Sequence, residues 1–364
     1  MKTESHDHIM MAANLTADEI AIRDLAIEFF SGRASLDSQH QAAQRIGQGD
    51  GAPDMARALC KEMADLGFFS QAVPESQGGL GLAPKVSGLI AEAAGSELVP
   101  GSWLDQLVAV ILLSDAGPAV LTPVLNAEHI VSVGFDAPQP LLRWDETAGT
   151  LSGRISGLRF GASSDRWVIV SGDHVNVIDP ATAVIDDDAD IDALSMSSMA
   201  RLEAAVPLYR GELPRGREQA LAVAGGLVAA FSIGASARCL DIAVDYVGSR
   251  EQFGRPIGSF QAIKHRAANA WAALLHARST VELAAAGGWS SGATEARIAA
   301  DGCYRSIAES ALQMHGGIGF TSEVPIHLFV KNSQRLRAWP RPVDEALDSV
   351  RAELGLDTPQ EHQR

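Results

Sequence analysis

The chain has 364 residues, 46% hydrophobic and 20% charged, which is long enough for two or three domains and a sizeable core. Lys and Arg total 29 against 45 Asp and Glu, so the net charge of −16 repels a phosphate backbone and argues against nucleic acid as a partner. The three cysteines (Cys60, Cys239 and Cys303) share no close spacing, which excludes a disulfide framework, CxxC redox chemistry and a cysteine zinc site, and suits a reducing cytoplasm.

The opening MKTESHDHIMMAANLTADE has no apolar core, so no secretory signal is expected. His6, His8 and His40 lie in polar sequence without ligand spacing, and no metal is expected there. Thr16 and Glu19 form a capping-box pattern, in which hydroxyl and carboxylate reciprocally satisfy orphan amides. Ile22, Leu25, Ala26, Phe29 and Phe30 then follow at the spacing of one helical face. Further helices are expected at about 54–66, 85–95 and 104–116, with a turn-rich loop over Val73–Leu82.

Gly117-Pro118 reads as a break, after which short β runs follow to Tyr209. Ile130–Gly134, Leu151–Ile155, Trp167–Val170 and Val175–Ile178 are separated by Asp, Gly and Pro clusters, a pattern that predicts a small antiparallel barrel or sandwich. The acidic run Asp186–Asp192 lacks the glycine and the terminal glutamate of a calcium loop and reads as solvated. After Pro214 the pattern returns to helix, at about 217–247, 260–287, 293–314 and 341–354, long and Ala-rich as in a bundle. Within it, Ala220–Ala237 carries no charge and could mimic a membrane span. Its Ala, Gly and Ser content predicts a buried bundle helix instead. The expected architecture is α+β and multidomain: a helical domain over 1–117, a β domain over 118–214 and a helix bundle over 215–364.

Two segments carry the chemistry. Arg250-Glu-Gln-Phe-Gly-Arg-Pro-Ile-Gly-Ser-Phe-Gln-Ala-Ile-Lys264 is a helix end, a Gly/Pro turn and a new helix start. Gln313-Met-His-Gly-Gly-Ile-Gly-Phe-Thr321 is a helix running into a glycine-rich turn. Physics alone allows a plain reading of each: Arg250 as a helix-terminal cation, Gly316-Gly317 as a helix C-cap.

Together with Leu66-Gly-Phe-Phe69, the Val73–Leu82 loop and the helix–β–helix order, these segments resemble the acyl-CoA dehydrogenase family over nearly the whole chain. The resemblance implies an N-terminal helical domain, a middle β domain and a C-terminal four-helix bundle. It implies FAD at a dimer interface, with Arg250, Gln252, Phe253, Gln313, Gly316 and Gly317 reaching the ADP half of a neighbour's cofactor. A guanidinium suits phosphate, and glycines let backbone approach a cofactor.

The departures from the family pattern matter as much. The family's glutamate base sits in a Tyr-Glu-Gly-Thr-like loop, where this chain has Trp339-Pro340-Arg341-Pro342. The alternative base position falls on Ala224, and the arginine that helps bind acyl-CoA falls on Gly225. No Thr-Glu-Pro-x-x-Gly-Ser-Asp-like stretch is present, and Arg154–Asp165 lacks the Trp-Ile-Thr-Asn-like strand end. Asp344 and Glu345 are the nearest acids beyond the loop. The resemblance therefore implies a degenerate subunit with no catalytic residue of its own. Its partner would be a homologous catalytic chain, as α2β2, that dehydrogenates a bulky, steroid-type acyl-CoA, with an electron-transfer flavoprotein as acceptor. Two alternatives remain at this point: a homomeric FAD enzyme with a relocated base, and a non-enzymatic interaction protein of the same fold.

Overall fold

The computed structural model describes residues 15–46, 53–137, 141–188 and 197–356. Six helices lead: α1 (Ala17–Arg33), α2 (Leu36–Ile46), α3 (Pro53–Asp65), α4 (Lys85–Ser96), α5 (Trp103–Leu112) and α6 (Pro118–Leu125). The capping box at Thr16 and Glu19 forms as expected, and the Glu19 carboxylate also pairs with Lys85 on α4 at 2.9 Å. Gly117-Pro118 does not end the helical region but starts α6, with Gly117 as N-cap at φ 79° and Pro118 in the first turn. Proline suits that position because the amide it lacks would be an orphan anyway.

Eight strands follow: β1 (Val131–Phe135), β2 (Leu142–Asp145), β3 (Thr150–Arg159), β4 (Arg166–Ser171), β5 (His174–Ile178), β6 (Ala183–Asp188), β7 (Ser197–Ala205) and β8 (Tyr209–Glu212). They form two four-stranded sheets, in the orders β1-β4-β5-β8 and β2-β3-β7-β6. The arrangement is a sandwich rather than a closed barrel, and β1 runs parallel to β4, a departure from the all-antiparallel expectation. Alternation along the strands gives the first sheet two buried faces. Trp167, Ile169 and Ile178 meet Leu151, Ile155 and Leu202 of the second sheet, while Val168, Val170, Val175 and Val177 join the helical core. A strand buried on both sides reads as a continuous apolar run, which is why Trp167–Val170 shows no polar residue. The acidic residues Asp186–Asp188 are backbone members of β6, and the rest of that run lies outside the described residues, as do His6 and His8.

The last region holds α7 (Gly216–Ser249), a short hairpin of β9 (Glu251–Gln252) and β10 (Arg255–Pro256), then α8 (Gln261–Ala286), α9 (Ala293–His315), α10 (Ile326–Leu336) and α11 (Val343–Glu353). The uncharged stretch of α7 is buried within the protein, so its length and apolarity reflect a core helix. Its small residues have a packing reason. A Cβ on Gly234 would lie 1.9 Å from the Glu92 carbonyl oxygen, and one on Gly95 would lie 2.0 Å from that of Phe231, so α4 and α7 approach only as glycines allow. Ser232 and Ser236 return their hydroxyls to the carbonyls one turn back, at 2.8 and 2.6 Å. Between α4 and α8, Glu92 and Arg278 form a buried ion pair at 2.8 Å.

Candidate functional site: an outward corner and a closed interior

The first motif caps α7. Arg250 leaves the helix in an extended conformation, its amide still bonded to the Tyr246 carbonyl at 2.8 Å. The hairpin that follows turns at Phe253-Gly254, both with positive φ (56° and 74°), as a type I′ turn demands. The Ile257 amide bonds back to the Arg250 carbonyl at 2.8 Å, so the hairpin is anchored to the helix end. Phe253 is 91% exposed. Its positive φ is what the turn requires, and five other non-glycine residues among those described share that region, so it is the exposure of this large ring that stands out.

The second motif caps α9. Gly316 adopts φ 64° and ψ −140°, a conformation that glycine alone takes without strain. The two helix ends meet through Tyr246 and His315, whose rings stack with centroids 4.3 Å apart and planes 16° apart. The structure thus gathers Arg250, Gln252, Phe253, Gln313, Gly316 and Gly317 at one end of the bundle, all of them exposed.

These groups are uncommitted within the chain. Among the described residues neither the Arg250 guanidinium nor the Gln313 amide has a partner, and Gln252 only donates to the Glu251 carbonyl at 2.7 Å. A Cβ on Gly317 would meet nothing within 4 Å, so no internal packing demands a glycine there. An unpaired guanidinium and an open glycine turn at the same end of the bundle suit a phosphate-bearing ligand that approaches from outside. The ADP half of FAD is such a ligand, and these residues fit it.

The interior gives the opposite result. Two segments expected near a flavin ring, the end of β3 and the loop over 337–342, here touch each other and β1. Trp339 is buried, donates its indole N–H to the Val133 carbonyl at 3.2 Å and packs edge-on against Phe135. The Arg159 guanidinium lies 4.2 Å over the Trp339 ring. Arg159 also bonds to the fully buried Asp105 of α5, whose other oxygen accepts from the Val133 amide at 2.9 Å. Burial pushes the Asp105 carboxyl up and the Arg159 guanidinium down, and each is opposed by the charge of the other. A cation, an indole and a carboxylate fill the space from strand to loop. The interior does not fit a flavin ring.

Both expected base positions are inert. Ala224 is completely buried, and Pro340 lines a cleft with Leu221, Ala222, Gly225, Arg297 and Arg341. The cleft measures about 10 Å³, room for about one water. Over Gly225 lies the aliphatic stem of Arg297, which a Cβ there would touch at 3.7 Å. Burial lowers the Arg297 guanidinium to about 10, opposed by Asp301. The loop is pinned to α7 by Arg341, which donates to Glu218 at 3.1 Å. Neither Asp344 nor Glu345 lines the cleft; Asp344 accepts from Arg337 at 2.9 Å and is 82% exposed. Among the described residues no group of three or more His, Cys, Asp or Glu is placed to hold a metal, and His40 bonds instead to the Ser322 carbonyl at 2.8 Å. The thiols are buried and raised, Cys60 to about 12 and Cys303 to about 11, chiefly by desolvation, which leaves them unreactive.

Sequence reasoning misses Asp105 and Arg159. The available signal is a charge inside each of two apolar stretches, which in a fold must find its opposite.

The helical, β-sandwich and helical layers define the fold class, and comparison with known proteins names it. Residues 217–340 match the acyl-CoA dehydrogenase C-terminal domain. Acyl-CoA dehydrogenase IpdE2 of Mycolicibacterium smegmatis is 31% identical over 303 residues, 83% of this chain and 88% of that one. The chain belongs to the acyl-CoA dehydrogenase family. Three solved structures share its fold. A variant of the Tcur3481-Tcur3483 steroid ACAD has a TM-score of 0.78 at 20% identity over 93% of this chain and 98% of its own. The ChsE4-ChsE5 complex of Mycobacterium tuberculosis has a TM-score of 0.79 at 21% identity over 96% and 100%. PigA with FAD and proline has a TM-score of 0.80 at 19% identity over 95% and 100%.

Proposed function

We propose that this chain is the non-catalytic subunit of a heteromeric, FAD-dependent acyl-CoA dehydrogenase. It lends its outward corner to a cofactor whose ring and base lie in a homologous catalytic chain. The observation that carries this reading is the contrast at Trp339: the chain's own ring site is closed by Arg159, yet Arg250 and its neighbours remain uncommitted. Bound there, FAD would supply the hydride acceptor for α,β-dehydrogenation of the thioester. The part played by this chain is binding: Arg250 holds phosphate, the Gly316-Gly317 backbone admits the dinucleotide, and Phe253 covers it. Relatives of the fold include a complex of two named chains and a steroid ACAD, which supports a two-chain enzyme acting on a bulky, steroid-derived acyl-CoA. An α2β2 assembly, electron-transfer flavoprotein as acceptor and a cytoplasmic location complete the proposal.

The test is purification of the tagged chain from its host. The reading expects a second, homologous chain in equal amount and one flavin per pair. It expects that replacing the partner's glutamate by glutamine abolishes turnover. A yellow homomer holding one flavin per chain through gel filtration overturns it.

A further inference from the structure

The two cofactor-facing turns belong to different helices, with the whole of α8 between Arg250 and Gln313 in the chain. Something must hold them in register if one ligand is to meet both. Tyr246 sits one turn before Arg250, and its carbonyl accepts the Arg250 amide at 2.8 Å. His315 is the last residue of α9 and directly precedes the Gly316 turn. Their rings stack face to face at 4.3 Å and 16°, closer and flatter than any other ring pair among the described residues. The His315 ring is itself fixed. Its Nδ1 lies 2.8 Å from the Ala311 carbonyl, which can only accept, so Nδ1 carries the proton and donates. The imidazole is buried and Tyr246 half-buried, whereas the motif residues they join are exposed.

We infer that Tyr246 and His315 are positioning residues for the dinucleotide, a clamp that fixes the Arg250 turn relative to the Gly316-Gly317 turn. Neither is assigned a direct contact with the reacting atoms or the phosphates. Their effect passes through Arg250 on one side and Gly316 on the other. A stack of two flat rings resists sliding and tilting of one helix end against the other, and preorganisation of this kind removes ordering cost from binding.

The inference rests on the proposed role of this corner in FAD binding, and one experiment separates the two. In the purified two-chain complex, FAD affinity and the melting temperature of the flavin-free form are measured for Tyr246→Leu, His315→Leu, Tyr246→Phe, His315→Phe and Arg250→Ala. Leucine fills volume without stacking, and phenylalanine keeps the stack. The clamp expects each leucine variant to weaken FAD about three- to tenfold with little change in melting temperature, and each phenylalanine variant to stay within about twofold of the parent. If the leucine variants bind FAD as the parent does while Arg250→Ala binds weakly, the clamp is wrong and the cofactor reading stands. If leucine and phenylalanine variants weaken FAD equally, the clamp is also wrong, because stacking is then not the property that matters. If Arg250→Ala itself leaves FAD affinity unchanged, the cofactor reading fails and the clamp fails with it.

Discussion

Two regions of this molecule treat their charged and aromatic residues in opposite ways. At the corner where α7 and α9 end, Arg250 is unpaired and Phe253 stands 91% exposed in strained backbone. In the interior, Arg159 is paired with Asp105 and stacked on Trp339, with hardly any of its surface in contact with solvent. What sets this corner apart from other exposed arginines is that the ends of α7 and α9 meet there through the Tyr246–His315 stack. The interior is satisfied within the chain, whereas the corner is open to solvent.

The largest expected effect comes from breaking the interior. Arg159→Ala leaves Asp105 as an unpaired buried charge and should cost about 3–5 kcal/mol of stability. Asp105→Leu combined with Arg159→Met should recover most of that loss, since a buried pair contributes little net stability against apolar residues of similar size. Chemical denaturation of the three variants checks both. A single mutant as stable as the parent would mean that the pair does not close the interior.

The corner should respond differently. Arg250→Ala removes one guanidinium–phosphate contact and should cost about 1.5–3 kcal/mol of FAD affinity in the complex, or about ten- to a hundredfold, without unfolding the chain. A flavin titration with a parallel melting curve checks it. A drop in melting temperature with unchanged flavin occupancy would return Arg250 to the role of a helix-end cation.

A smaller effect is expected with pH. Desolvation lowers the titration of His315 and His327 below the ordinary histidine value of 6.5. The unfolded chain then binds more protons than the folded one as pH falls through 6.5. The stabilisation is complete above that value and is lost progressively below it, through the folded-state values. Melting temperature should fall from about pH 7 to about pH 5.5, and His315→Phe with His327→Phe should flatten that slope. An unchanged slope in the double variant would show that these rings are not what senses the protons.

The smallest effect tests the inert base positions. Asp344→Asn and Glu345→Gln, in the active complex, should leave turnover within about threefold, under about 0.7 kcal/mol in barrier. A hundredfold loss from either would place the base in this chain and erase the contrast between its two regions.

Much of the fold is legible in the sequence because its signals are local. The capping box at Thr16, the apolar run Trp167–Val170 and the Ala-rich helix of 216–249 each declare themselves over a few residues. Helix α6 is hidden because Pro118 reads as a breaker, and only the Gly117 N-cap geometry shows it as a first-turn residue. The parallel pairing of β1 with β4 is equally hidden, because strand direction is set by the path of the chain between β1 and β4 and not by either strand's composition. Similarly, the corner is legible as two motifs, but their meeting is not, because nothing in the sequence links Tyr246 to His315.

By itself the sequence determined what is missing: no titrating group stands at Pro340 or Ala224, and no arginine at Gly225. Absence of a functional group is a property of residue identity and needs no coordinates. Only the tertiary structure decided what took the vacated space. Arg159 from β3, Asp105 from α5 and Trp339 from the loop before α11 are distant in the chain and meet only when the layers pack, and separately Arg297 of α9 comes to lie over Gly225. A buried charge must find its opposite, and which side chains can supply it is settled only by how the layers pack.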